Sequence, residues 1–210
     1  VLAGGGFIGL EMAENLAERG VHVTVVEGAS HVMPPIDMDM AHQVHNYIRA
    51  QGIDLYLGQT CTAMDKDGVI LKDGRKIPAD MVILSIGVRP DTGFLKDSGI
   101  ELGARGEILV NSYMETSAPD VYALGDAASV RHIVSGKQVL IPLASPANKQ
   151  GRIVGDNLCG RKTAYRGSQG TSIMKFFGLT VAVTGEKEEN LQAQGRAFCK
   201  VITTSASQAG

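Results

Sequence analysis

Apolar and polar positions change period along this chain, and the changes mark its elements. The short apolar run Val1-Leu2-Ala3 enters a glycine cluster. Beyond it Ile8, Met12 and Leu16 fall on one helical face, with Glu11, Glu14 and Glu18 on another. That is the pattern of an amphipathic helix laid on a sheet. Arg19-Gly20 closes the helix, and Val21 to Val26 reads as a buried strand ending on Glu27. After a loop ending at Pro34-Pro35, the 3.6-residue period returns from Asp37 to Gln51. Ala41, Val44 and Ile48 point inward there, while His42 and His45 flank that face as solvated surface. Gly52 caps this helix and Ile53 to Leu57 forms a third strand. The order β-α-β-α-β predicts a parallel sheet wound in the usual hand.

The next stretch has strand periodicity only. Thr60 to Met64, Val69 to Leu71 and Arg75 to Ile77 are short β runs separated by the turn pairs Asp67-Gly68 and Asp73-Gly74, which predicts an antiparallel meander. The continuous apolar run Met81 to Ile86 then reads as a central parallel strand buried on both faces. Further strands are expected at Glu107 to Val110 and Val121 to Leu124, and a turn at Ser135-Gly136. One helix lies within Leu143 to Gly160, with Ser145-Pro146 as N-cap and first residue. The tail predicts strands at Thr171 to Phe177 and Leu179 to Thr184, a helix over Glu186 to Gln194 and a strand from Ala197 to Thr203. The fold class is α/β.

Composition narrows this little. The chain has 210 residues, 44% of them hydrophobic, enough for a buried core in one or two domains. A net charge of −2 gives no basic field for nucleic acid or an anionic membrane. No apolar run nears the ~20 residues that span a bilayer, and no signal peptide is visible. Cys61, Cys159 and Cys199 form no C-x-x-C pair, as expected of buried thiols in a reducing cytoplasm. Val1 at the head of so short a first strand, and a last strand that trails off, suggest a piece of a longer enzyme.

Chemistry concentrates in the glycine cluster. Gly4, Gly6 and Gly9 have the G-x-G-x-x-G spacing of a dinucleotide-binding turn, between strand and helix as that turn requires. Gly4 permits the tight turn, Gly6 lets the backbone approach a pyrophosphate, and Gly9 lets helix and strand meet closely. Glu27, at the end of the second strand, stands where an acid binds the adenosine ribose hydroxyls. Gly28-Ala29-Ser30 offers no base for a 2′-phosphate, so NAD(H) is expected rather than NADP(H). Glu11 is placed in the first helical turn, complementing the helix dipole. Gly87 and the pair Gly125-Asp126 follow predicted strands, where open α/β sheets bind ligands. Asp126 there is either a plain turn residue or an acceptor for a polyol.

Taken together, these stretches resemble the flavoprotein pyridine nucleotide-disulfide oxidoreductases, in the branch of coenzyme A-disulfide reductase, NADH-dependent persulfide reductase and NADH oxidase. The resemblance rests on Gly4 to Glu11, Ile86 to Pro90, Thr116 to Asp126, Ile141 to Arg152 and Gly170 to Ile173. It implies an NAD(H)-binding Rossmann-like domain over 1–90, made of a parallel sheet plus the meander. The second half of an FAD-binding domain follows over 91–160, and an α+β dimerisation domain begins over 161–210. By the same resemblance Asp126 holds the flavin ribityl chain, and the backbone at Leu143 and Ala144 meets the pyrimidine edge of the ring. Phe7 covers the nicotinamide with Ile8 beside it, and Glu11 lies near nicotinamide and flavin. The resemblance implies FAD and NAD(H) as cofactors, a homodimer, and a coenzyme A disulfide, persulfide or other small disulfide as substrate. Hydride would pass from NADH through flavin to a redox cysteine that lies before Val1, as does the first FAD phosphate turn. Cys61, Cys159 and Cys199 do not match that cysteine.

Overall fold

The first hundred residues build around a four-stranded parallel sheet. The computed structural model describes residues 1–205, so the last five residues of the expected third unit, 206–210, lie outside it. β1 (Leu2–Ala3) runs into α1 (Phe7–Ala17), followed by β2 (Thr24–Glu27), α2 (Met38–Ala50) and β3 (Asp54–Leu57). β4 (Cys61–Asp65), β5 (Gly68–Leu71) and β6 (Lys76–Pro78) form the three-stranded antiparallel meander, and β7 (Ile83–Leu84) returns to the main sheet. The order is β3-β2-β1-β7, with Leu2 opposite Val25 on one side and Ile83 on the other. β1 is therefore central although it is only two residues long. Its side chains and those of the β-branched run in β2 are fully buried, as befits a parallel sheet covered on its faces.

Five details depart from the sequence reading in this half. The buried face of α1 is Gly9, Leu10 and Ala13, while Ile8 and Met12 are 59% and 37% exposed. Gly9 must face the strand, and that requirement rotates the helix away from its largest apolar stripe. Glu11 stands a turn beyond the helix start, which has no acid in its first turn. The apolar run around β7 is an edge and not a centre, with Leu84 and Ile86 exposed. A short apolar run does not encode how many neighbours it has. In the meander, Asp65 pairs with Gly68, so the first turn is Lys66-Asp67 and Gly68 opens β5.

The fifth departure concerns His45, which is buried whereas His42 is exposed. Its Nε2 accepts the Val32 N–H at 3.2 Å, so α2 holds the 31–37 loop. Burial lowers the His45 pKa to about 4, and Arg49, His42 and His31 push the same way. The unfolded chain titrates this ring near about 6.5. Between those values the unfolded state binds the extra proton, so stability is full above about pH 6.5 and falls as the pH drops toward about 4. Urea midpoints are expected to fall between about pH 7 and pH 5, and His45→Gln to flatten that slope. An undiminished slope in the variant would contradict the assignment.

From Ser85 to Leu143 the chain is mostly irregular. Glu107 to Val110 and Val121 to Leu124 are extended but make only isolated bridges, Ile108 with Ala128 and Tyr122 with Glu115. A strand needs a paired neighbour, and among the described residues these two have almost none. β8 (Val130–Arg131) and β9 (Gln138–Val139) form a small hairpin about the expected Ser135-Gly136 turn. α3 (Ala144–Leu158) starts with Leu143 as N-cap, so Ser145 lies inside the helix and does not cap it. Met114, Ala128 and Val154 form the small core beneath this region.

β10 (Ser172–Phe176) and β11 (Leu179–Val183) form the expected antiparallel hairpin, with Phe177 in the left-handed region at φ 48°. α4 (Glu188–Ala193) is shorter than the pattern suggests, and Ala197 to Thr203 is not a strand. The hairpin does not stand apart. Met174 and Phe176 share one core with Leu2, Leu10, Val25 and Ile48.

Candidate functional site

The glycine turn has the geometry its spacing predicts. Gly4 adopts φ +112°, and a Cβ there would fall 2.3 Å from the Ser85 carbonyl oxygen. A Cβ on Gly9 would fall 2.0 Å from the Gly4 carbonyl oxygen, so only glycine lets helix and strand meet at this distance. Gly6 is the N-cap of α1, and a Cβ there would meet no described residue within 4 Å. The N–H groups of Gly6, Phe7 and Ile8 have no partner among the described residues. Free amides and the positive end of the helix dipole thus face one point, the arrangement that suits a phosphate.

Glu27 reaches back to this turn. Its Oε2 accepts the Gly5 N–H at 2.6 Å and its Oε1 accepts the Ala29 N–H at 2.8 Å. A carboxylate has about four acceptor sites, so two remain for a ligand. Gly4, Gly6, Glu27, Gly28, Ile86 and Gly87 line one cleft of about 630 Å³. That volume and those groups fit a dinucleotide. Sequence reasoning missed Ser85, whose Oγ lies 3.0 Å from the carbonyl oxygens of both Ala3 and Gly4 and ties the turn to the end of β7. An apolar run with one serine gives no signal for that role.

A second cavity, about 390 Å³, brings Phe7 and Leu143 together with Pro35, His132 and Glu186. His132 and Glu186 are both nearly buried, 3.2 Å apart, and join the β8–β9 hairpin to the segment before α4. Ile8 and Glu11 lie on the exposed side of α1 and are not drawn into this cavity. A third cavity, about 340 Å³, is lined by Arg89, Asp91, Arg105, Asp126 and Pro142. Asp126 lies in a single 3-10 turn, exposed, and follows Gly125 at φ +79°. The Gly125 N–H donates to Gln150 Oε1 at 2.8 Å. Gln150 is buried and its Nε2 has no partner among the described residues, so α3 orients the Asp126 turn through a residue the sequence reading used only as part of a motif. At the start of α3 the N–H groups of Ala144 and Ser145 are unpaired among the described residues. Those donors and the Asp126 carboxylate fit the polar edge and polyol chain of a flavin.

Of the three thiols, Cys61 lines the cleft of the glycine turn, and burial raises its pKa, which disfavours the nucleophilic thiolate. Cys159 and Cys199 are exposed, and all three are free. Among the described residues no three His, Cys, Asp or Glu side chains group as metal ligands, and no helix is long and apolar enough to cross a membrane.

Known proteins share this fold. The reduced CoADR-RHD of Bacillus anthracis superposes with a TM-score of 0.91 at 45% identity, over 93% of this chain and 36% of that one. An NADH oxidase of Enterococcus faecalis is 38% identical over 93% of this chain and 45% of that protein. A CoA-dependent NAD(P)H sulfur oxidoreductase of Pyrococcus furiosus is 35% identical over 97% of this chain and 48% of that protein. The chain spans about half the length of the curated relatives it matches. The model of the pyridine nucleotide-disulphide oxidoreductase family covers residues 1–151, from the glycine turn through the Asp126 turn to the first half of α3. With motif, cleft and helix start all inside that span, the chain belongs to the pyridine nucleotide-disulphide oxidoreductase family.

Proposed function

We propose that this chain carries the NADH site and part of the FAD site of a cytoplasmic, homodimeric flavoprotein that reduces coenzyme A disulfide or a persulfide. The observation that carries the reading is the cleft lined together by Gly4, by Gly6 at the N-cap of α1 with its N–H unpaired among the described residues, and by Glu27. Gly4, Gly6 and Gly9 bring bare backbone to the pyrophosphate, and Glu27 accepts the adenosine ribose hydroxyls with its two remaining acceptor sites. Gly87 leaves the far wall of the cleft open. Phe7 covers the nicotinamide, with Ile8 and Glu11 on the side that faces the flavin. Asp126, approached across Gly125, accepts hydrogen bonds from the ribityl chain. The amides at the start of α3, next to Leu143 and Ala144, meet the pyrimidine edge and favour negative charge there. Bound FAD supplies a two-electron carrier between NADH and a disulfide. The thiol that meets the substrate is none of Cys61, Cys159 and Cys199.

The 45% identity to the Bacillus anthracis protein and the CoA-dependent Pyrococcus relative support the sulfur reading. The Enterococcus faecalis relative supports a second one, an NADH oxidase that reduces oxygen. In the whole protein, NADH oxidation that requires added coenzyme A disulfide under anaerobic conditions supports the first. Oxidation that proceeds only with oxygen supports the second.

Dinucleotide choice is tested separately. Glu27 repels a 2′-phosphate and no base follows it, so NADH is expected to bind more than about tenfold tighter than NADPH, roughly 1.4 kcal/mol. Fluorescence titration of both nucleotides measures this. Equal or tighter NADPH binding would remove Glu27 from the ribose.

A further inference from the structure

The 31–37 loop forms a wall of both larger cavities. Pro34 lines the dinucleotide cleft and Pro35 lines the cavity that holds Phe7 and Leu143. The loop bears directly on the glycine turn, since the Met33 N–H donates to the Gly5 carbonyl at 2.8 Å. Val32 and Met33 are fully buried, and Met33 is held at φ 53°, which a non-glycine residue adopts only under constraint.

That constraint comes in part from the far end of the chain. Lys187 Nζ donates to the Pro34 carbonyl at 3.0 Å and pairs with Glu189 at 2.6 Å. Glu189 also faces His31 Nε2 at 3.6 Å, and the Lys187 ammonium, with His31 adding less, holds its carboxyl below the usual range. The Glu188 N–H donates to Asp37 Oδ1 at 2.7 Å, and Lys200 joins Asp39 to Glu188. Polar contacts thus grip the loop at both ends from α4 and its flanks. Lys187 is the member bonded to a cleft-lining residue, and its side chain is only 18% exposed.

We propose that Lys187 is a positioning residue for dinucleotide binding: through the Pro34 carbonyl it holds the 31–37 loop against the glycine turn. The proposal rests on the dinucleotide reading of the cleft. Lys187 does not itself line that cleft. Its effect reaches the amides of α1 through Pro34, Met33 and Gly5, so losing it loosens the turn that must stay rigid around a pyrophosphate.

The test is NADH titration of the protein with Lys187→Met, which keeps the aliphatic stem, and Lys187→Arg, which keeps the charge. Lys187→Met is expected to weaken NADH about fivefold, and Lys187→Arg to bind within about twofold of the parent. In steady-state assays of the FAD-loaded whole protein, Lys187→Met raises KM for NADH and leaves kcat unchanged. If Lys187→Met does not fold, Glu189→Gln, at an exposed position, removes the partner of Lys187 and is expected to weaken NADH about twofold to threefold. Unchanged NADH affinity in the folded variant overturns the proposal alone, as does an equal loss in Lys187→Arg. A parent protein that fails to bind NADH overturns the cleft assignment, and this proposal with it.

Discussion

Gly6→Val is expected to abolish NADH binding, by more than about 100-fold, while the protein stays folded. Gly6 sits at φ −76° and ψ −173°, an extended conformation open to any residue, and a Cβ there meets no described residue within 4 Å. The fold therefore has no objection to a side chain at this position. Valine is a poorer N-cap residue than glycine, which costs about 1 kcal/mol and a few degrees in Tm. The cleft is different, because Gly6 lines it beside the free amides of α1. Two methyl groups at that point hold a phosphate off the backbone by more than a hydrogen-bond length. Gly9→Ala serves as the contrast: its Cβ would lie 2.0 Å from the Gly4 carbonyl oxygen, so it is expected to lose stability and binding together. NADH titration beside a thermal melt separates the two. Tight NADH binding by folded Gly6→Val would show that the dinucleotide lies elsewhere.

Phe176→Ala is expected to destabilise the chain by about 3–5 kcal/mol. The ring is fully buried and lies edge-on to Tyr47 and to Phe177, at centroid distances of 6.2 and 4.9 Å. It belongs to the core of the four-stranded parallel sheet, although it lies far from every strand of that sheet in sequence. The Gly178 N–H also donates to Tyr47 Oη at 2.9 Å, fixing the hairpin tip on α2. Loss of the ring leaves a cavity between the hairpin and both helices, so urea unfolding should shift as one transition. A loss below about 1 kcal/mol, or a separate early transition of the hairpin, would show that residues 172–183 contribute little to this core.

The conformation of the glycine turn, the place of Glu27 at the end of β2 and most element boundaries were legible in the sequence because they depend on local chemistry. Only glycine fits Gly4 and Gly9, α2 spans Met38–Ala50 within the expected limits, and the alternating and β-branched runs pair as strands. Short-range periodicity also foretold the meander and the β10–β11 hairpin. What it did not carry was partnership. Met81 to Ile86 is equally apolar at an edge or a centre, and Val121 to Leu124 has strand character without the neighbours that make a strand.

Tertiary structure alone decided which polar groups are buried and what they hold. His45 occurs in a surface-like pattern, yet the loop from β2 folds over it and makes it an acceptor for Val32. Ser85 and Gln150 became supports of the two glycine-bearing turns only because β7 and α3 reach those turns from far along the chain. Lys187 meets Pro34 across 153 positions, a separation no local pattern encodes. A hydrogen bond between distant segments leaves no periodicity behind; it depends on where the backbone places each group once the apolar core has closed.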